Sequence, residues 1–230
     1  MTQTAFFTRL KNRALLKISG QDAKKFLQGL ITNDIDLLER VPCLYACILT
    51  PQGKFLYDFF IYKNEDGYAV DCEGGQRAQD LSKLLTMYRL RADVDINVTE
   101  TCDVYAVFGA PNIGTPDPRS PKLGTRSFTK PETMEEQPFD EWDRRRIELT
   151  IPDGSRDLVP QKSTMDEANM DTLNAISYDK GCYLGQELTA RMHYRGLGKK
   201  HLQTVKLDAL PENAELRSTC GNMGIALVKG

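Results

Sequence analysis

Between Asp179 and Glu187 the sequence reads Asp-Lys-Gly-Cys-Tyr-Leu-Gly-Gln-Glu, two glycines framing a cysteine and an aromatic, with charged groups on both sides. The thiolate, rather than the thiol, attacks electrophiles and ligates soft metals, and nearby cations favour it. Lys180, and Arg191 further along the chain, are the cations placed to do so. The glycines permit a tight backbone beside Cys182, because glycine takes positive φ without a steric cost. Against a chemical role stands the commoner fate of a lone cysteine, that of a small buried hydrophobe.

Other candidates carry less. Cys43 and Cys47 have the spacing of half a metal site, but residues 41–50 are strand-like, and four residues of strand hold two sulfurs about 13 Å apart. Cys72, Cys102 and Cys220 have no His or Cys near them at ligand spacing, whereas zinc sites assemble from such pairs. These five cysteines read as structural. His193 and His201 flank a basic stretch in which Arg191, Arg195 and Lys199 recur every four residues, one cationic face if helical. Gly196 and Gly198 argue against a continuous helix there, so a solvated basic loop and an anion- or RNA-contacting surface both stay open.

These residues need elements to hold them. Residues 14–19 read as a strand and 21–31 as a helix, since Phe26, Leu27, Leu30 and Ile31 recur at helical spacing behind the capping-competent Ser19 and Asp22. Segments 44–50 and 55–63 are strand-like, and Pro51, Gln52 and Gly53 between them supply the turn of an antiparallel hairpin. Residues 68–72 form another strand. Leu81, Leu84, Leu85 and Tyr88 make a second amphipathic helix, Val94, Ile96 and Val98 alternate as a half-buried strand does, and 104–108 adds one more. Two helices dispersed among antiparallel strands predict the α+β class, a sheet covered by helices.

Composition then divides the chain. Residues 1–110 form the N-terminal α+β domain. Six prolines between Pro111 and Pro138 make 111–140 a surface excursion or linker. Residues 141–197 form a second α+β part that carries the cysteine motif, with order resuming at 142–151 and a short helix at 166–176. The last 33 residues, 198–230, supply about three or four strands, too few to close a barrel alone.

With 30 Lys and Arg against 32 Asp and Glu, the formal charge is −2, which disfavours blanket attraction to nucleic acid or to anionic membrane. The longest unbroken apolar run, 44–49, is far short of the roughly 20 residues of a membrane helix. Basic residues near the N-terminus are not followed by a signal-peptide core. Six cysteines spread over 230 residues fit reduced thiols in a cytoplasm better than a secreted disulfide scaffold.

The run Lys180-Gly181-Cys182-Tyr183-Leu184-Gly185-Gln186-Glu187, followed by Arg191 and Tyr194-Arg195-Gly196, resembles the signature of the YgfZ/Iba57 family of folate-binding iron–sulfur maturation proteins. Gly20-Gln21-Asp22-Ala23, Phe26-Leu27-Gln28-Gly29, Thr32-Asn33-Asp34, Thr50-Pro51-Gln52-Gly53-Lys54 and Tyr88-Arg89-Leu90-Arg91 are similar to the family's N-terminal pattern, in the same order. Asp117-Pro118-Arg119, Leu123-Gly124-Thr125-Arg126, Trp142 and residues 146–152 continue it. The resemblance thus spans nearly the whole chain.

What the resemblance implies is a fold like that of the glycine-cleavage T-protein, a ring of ferredoxin-like α+β subdomains with a short, truncated β-barrel-like C-terminal part. Tetrahydrofolate is expected in the central hole. The T-protein pattern places an Asp-Asp pair after its Gly-Gly turn, whereas this chain has Tyr57-Asp58 after Gly53-Lys54, so aminomethyl transfer is not expected. The implied function is iron–sulfur cluster assembly or repair, with Cys182 a shared ligand to a transient cluster carried by an A-type carrier protein. Implied clients are iron–sulfur enzymes, including tRNA-thiolating radical-SAM enzymes. Lys180 and Arg191 are expected to stabilise the thiolate. The pterin is expected to meet Asp58 and Tyr183, and the anionic tail Arg191 or Arg195. Asn33, Gln186 and Glu187 complete the expected cofactor set. The expected compartment is a bacterial cytoplasm, or the mitochondrial matrix for a processed eukaryotic form. A folate-dependent one-carbon transferase and an RNA- or protein-binding module are the alternatives.

Overall fold

The computed structural model describes residues 5–99, 102–196 and 198–229. Strands Phe6–Leu10 (β1) and Arg13–Ser19 (β2) come first, then helix Ala23–Leu30 (α1) and strands Leu44–Leu49 (β3), Phe55–Asn64 (β4) and Gly67–Glu73 (β5). Helix Gln76–Arg89 (α2) leads to Asp95–Thr99 (β6). On β2, buried Ala14, Leu16 and Ile18 alternate with exposed Lys17, the period of two that fixes a half-buried strand. Five strands form an antiparallel sheet in the order β3-β4-β5-β2-β6. Leu27 of α1 and Leu81 and Leu85 of α2 pack against Leu16, Ile18, Phe59 and Ile61 on one face. Asp22 precedes α1 but makes no side-chain cap; its carboxylate accepts the Asp93 N–H at 2.9 Å, tying the helix start to the approach to β6.

The opposite face of the sheet is equally buried. Tyr45, Leu49, Phe55 and Phe60 pack there against Ile147, Leu158, Met165 and Leu227. All six residues of β3 are therefore buried, which explains its unbroken apolar run.

A second sheet, β10-β1-β7-β9-β8, joins β1 to Val104–Phe108 (β7), Thr115–Pro116 (β8), Thr125–Ser127 (β9) and Glu135–Glu136 (β10). The Pro-rich 111–140 segment is thus no bare linker: it supplies three short strands, and β1 pairs with both β7 and β10 across the compositional boundary. Buried charge holds it in place. Arg126 of β9 ion-pairs with Asp71 of β5, which also accepts Arg13 Nε at 2.7 Å, while Arg119 binds Asp117 at 2.8 Å. The Arg126 guanidinium lies 3.6 Å from the Phe60 ring centroid. Composition registers the prolines and misses this network, in which Asp71 and Arg13 meet the segment from far away in sequence.

The remainder holds Phe139–Glu148 (α3), Gln186–Arg195 (α4), and strands Lys200–Lys206 (β11), Glu215–Cys220 (β12) and Met223–Lys229 (β13). The three strands form an open sheet, β11-β13-β12. Buried Arg146 of α3 fastens it, donating to Ser218 at 2.7 Å and to Asp143 and Asp157 at 2.6 Å. The expected helix at 166–176 is a succession of turns, because Asn169 and Asn174 adopt positive φ. The helix of this part is instead α4, which ends where Gly196 takes φ +57°. Among the described residues, 141–197 contributes helices and turns but no strand of a sheet, and no helix is long and apolar enough to cross a membrane.

Candidate functional site

The cysteine motif lies in an irregular loop pinned to the end of α1. Ser177 N–H donates to the Thr32 carbonyl and Leu184 N–H to the Gly29 carbonyl, both at 3.1 Å. Between them the Lys180 ammonium donates to the carbonyls of Gln28 and Ile31 at 2.8 Å and of Asn33 at 2.7 Å. A helix leaves its last carbonyls without partners, and positive charge is favoured at that end. All three ammonium hydrogens are thereby used. Burial pulls Lys180 down to about 8, with Asp34 and Asp36 pulling it back up. The expected role of Lys180 beside the thiolate is therefore corrected: its donors are spent on the end of α1, and it positions the loop.

Of the two motif glycines only Gly185 is conformationally required. Its φ is +81°, and a Cβ there would meet the Thr50 carbonyl oxygen at 2.5 Å. Gly181 has open space around its Cβ position and no positive φ. Between them Cys182 is exposed, whereas Cys43, Cys47 and Cys72 are buried and Cys102 and Cys220 half-buried. Burial pushes Cys43 and Cys72 up to about 12 and raises Cys47 well above the ordinary thiol range.

Tyr183 turns inward. It is buried beside Tyr45, Cys47 and Leu49, with the Lys180 ammonium 5.2 Å from its ring centroid. Gln186 begins α4, Glu187 pairs with Arg191 on the exposed side of that helix, and Arg195 sits exposed in its last turn. None of these five lines the cavity beside Asp58.

Asp58 lies on β4. Its buried carboxylate accepts the Tyr45 hydroxyl at 2.8 Å, and burial raises it above the usual carboxylate range. Around it stand Arg13, Phe60, Arg119, Arg126 and Trp142, enclosing about 10 Å³, room for one water molecule. Cavities of about 270 Å³ and 550 Å³ adjoin it, sharing Lys11, Arg13 and Phe139. Trp142 Nε1 and Arg126 Nε are buried without hydrogen-bond partners. Buried donors are nearly always satisfied, so these two stand out among the residues that line the cavity. Arg126 and Trp142 belong to the stretches that resemble the family pattern, yet nothing in their spacing places them beside Asp58; only the second sheet and α3 do.

Asn33 links the two regions without entering the central cavity. Its amide donates to the Tyr45 carbonyl at 2.9 Å and the Asn174 carbonyl at 2.8 Å, while its own carbonyl takes Lys180. Asp58, Tyr45, Asn33 and Lys180 thus form a continuous chain of contacts from the cavity to the cysteine loop. Among the described residues, no group of three or more His, Cys, Asp or Glu side chains is arranged to hold a metal ion.

Residues 10–112 match the family described as the GCVT N-terminal domain. Over 96% of its length the chain is 32% identical to the mitochondrial iron–sulfur cluster assembly factor IBA57 of Homo sapiens, covering 76% of that protein. The chain belongs to the IBA57 family. The IBA57 homolog of Pyricularia oryzae is 34% identical over 93% of this chain, which spans 61% of that relative. Among solved structures, the glycine cleavage system aminomethyltransferase T of Bartonella henselae superposes with a TM-score of 0.72, covering 99% of this chain and 79% of that one at 14% identity. That likeness establishes the α+β fold of the aminomethyltransferase type; the IBA57 relatives establish the family.

Proposed function

We propose that this chain is an iron–sulfur cluster assembly factor in which Cys182 lends one thiolate to a cluster brought by an A-type carrier protein, while tetrahydrofolate occupies the central cavity. The observation that carries the reading is the pairing of exposure with anchorage: Cys182 is the exposed cysteine, on a loop held to α1 by Lys180. A cluster is usually held by four cysteine or equivalent ligands, so one thiolate needs a partner to bring the rest. On binding iron the Cys182 thiol gives its proton to solvent and its sulfur lone pair to the metal. The relatives are named as iron–sulfur cluster assembly factors and as mitochondrial, which favours a mitochondrial setting over the cytoplasmic one. Maturation of [4Fe-4S] clients, tRNA-thiolating radical-SAM enzymes among them, is the corresponding cellular role.

The cavity residues fit a reduced folate. Asp58 accepts N–H donors of a pterin, the unpartnered Trp142 Nε1 and Arg126 Nε suit its carbonyl edge, and Phe139 with Lys11 at the cavity mouth suits the remainder of the molecule. The space beside these three side chains holds about one water, so a pterin reaches them as the inner cavity widens on binding, with the rest of the ligand in the adjoining cavities. Folate supplies one-carbon or reducing chemistry when bound; the chain's own residues bind and orient it.

Two measurements test the reading. Anaerobic calorimetry with tetrahydrofolate gives saturable one-site binding, weakened by Trp142→Phe. Mixing with a cluster-loaded A-type carrier gives a complex whose cluster absorbance is retained with the native chain and lost with Cys182→Ser. Equal retention by that variant overturns the cysteine assignment. Catalytic turnover of methylene-tetrahydrofolate that depends on Asp58 and not on Cys182 instead supports the one-carbon transferase.

A further inference from the structure

The face that carries Cys182 has a second feature that the proposed chemistry leaves unused. Tyr178, just before the motif, stacks on His193 of α4 with ring centroids 3.9 Å apart and planes at 18°. Tyr194 stands edge-on to both, 6.0 Å from Tyr178 and 5.0 Å from His193. This cluster is not part of the core, and Tyr194 is 71% exposed. Three residues separate Tyr178 from Cys182, so their Cα atoms lie within about 14 Å of each other even at full extension.

The charges beside it are unevenly matched. Arg191 pairs with Glu187 and Lys200 with Glu215. Arg195 and Lys199 are exposed, and neither has an ion pair or hydrogen-bond partner among the described residues. Exposed tyrosine and arginine are the residue types that dominate binding energy at protein interfaces. They add little to a monomer's stability in this position. RNA is the poorer fit: Tyr178 has one ring face already covered by His193, so the cluster is no open platform for successive bases.

We infer that Tyr194, braced by Tyr178 and His193 and flanked by unpaired Arg195 and Lys199, is the docking face for an acidic partner protein that delivers its own metal-binding thiolates to Cys182. The inference rests on the proposed cluster-sharing function and adds the surface that selects the partner. Tyr194 seats in a pocket of the partner and holds the complex. Arg195 and Lys199 meet carboxylates at the rim, where opposite charge mainly speeds encounter.

The test is a calorimetric titration of the full chain with the apo form of an A-type carrier, at low and high salt. Tyr194→Ala is expected to weaken binding at least about tenfold, with an unchanged circular-dichroism melt. Arg195→Glu with Lys199→Glu is expected to slow association and flatten its salt dependence. Native affinity in both surface variants overturns the inference, and loss of the shared cluster in Cys182→Ser then leaves the cysteine reading standing. No binding by the native chain overturns both. Two further results also overturn it: a Tyr194-dependent self-association of the chain alone, or loss of single-stranded RNA binding in these variants with carrier binding intact.

Discussion

Gly53 and Gly185 pack backbone against backbone. A Cβ on Gly53 would meet the Gly185 carbonyl oxygen at 2.8 Å, and one on Gly185 would come within 3.1 Å of the Gly53 Cα. Both have positive φ, +74° and +81°. The hairpin turn between β3 and β4 and the cysteine motif, far apart in sequence, therefore interlock at a point that admits only glycine on either side. Gly53→Ala and Gly185→Ala are each expected to cost about 2–5 kcal/mol, the left-handed penalty plus overpacking. Gly181→Ala, in the same motif with open space around it, is expected to change stability by less than about 0.5 kcal/mol. Urea denaturation of the three variants checks the ranking, and equal costs at Gly181 and Gly185 would contradict it.

Lys180→Met retains much of the apolar stem and removes the ammonium, leaving the carbonyls of Gln28, Ile31 and Asn33 without their donor. Buried acceptors stripped of a partner cost about 1–3 kcal/mol. The loss is expected to be local first: residues 177–185 gain hydrogen–deuterium exchange while β3, β4 and β5 keep theirs. Cluster retention by Cys182 should fall with the loop's order. Unchanged exchange in 177–185 would mean that the backbone bonds of Ser177 and Leu184 hold the loop without the lysine.

Most of the first sheet is legible in the sequence because its signals are local. The alternation of Ala14, Leu16 and Ile18, the turn at Gly53 and the apolar spacing of α1 and α2 each fix an element from its own residues. Cys182 is legible through its motif. The central cavity is not, since Arg13, Asp58, Arg126 and Trp142 come from different elements that only tertiary pairing brings together. Tyr183 misleads for a related reason. An aromatic beside a cysteine in a glycine-framed loop suggests a ligand platform, whereas the anchorage of the loop by Lys180 turns the ring into the core. The Pro-rich segment misleads because proline reports local conformation, while the Arg126–Asp71 pair that holds it to the first sheet is a contact the chain makes only when folded.

Asp58 sets stability against binding. Its carboxyl is raised above the unfolded value of 3.8 by burial, so between that value and its folded one the folded chain binds more protons than the unfolded chain. Its contribution is fully present below 3.8 and is lost as pH rises through the folded value. At neutral pH the buried charge is a cost, and Asp58→Asn keeps an oxygen to accept the Tyr45 hydroxyl. The variant is expected to be as stable as the native chain or more stable by about 1 kcal/mol at pH 7, with the difference shrinking toward pH 4, while tetrahydrofolate binding weakens. Thermal melts from pH 4 to pH 7 beside folate calorimetry check both arms; a variant that loses stability at pH 7 would show that the arginines around the cavity need the charge.

The six cysteines should separate by reactivity. Cys182 is exposed, Cys102 and Cys220 are half-buried, and Cys43, Cys47 and Cys72 lie in or beside the packed sheet. Burial raises the Cys102 thiol to about 11, Cys43 and Cys72 to about 12 and Cys47 well above the ordinary thiol range, which leaves almost no thiolate at neutral pH in any of these four. Thiolate fraction and access together set the rate of alkylation. Native protein treated with iodoacetamide at pH 7.5 should therefore label first at Cys182, then slowly at Cys220 and Cys102, with the buried three modified only after denaturation. Peptide mass spectrometry over a time course reads the order directly. Early labelling of Cys43 or Cys72 would mean that the sheet opens on the experimental timescale, and slow labelling of Cys182 would show a thiol held protonated or covered, unfit for a ligand that must meet its partner at the surface.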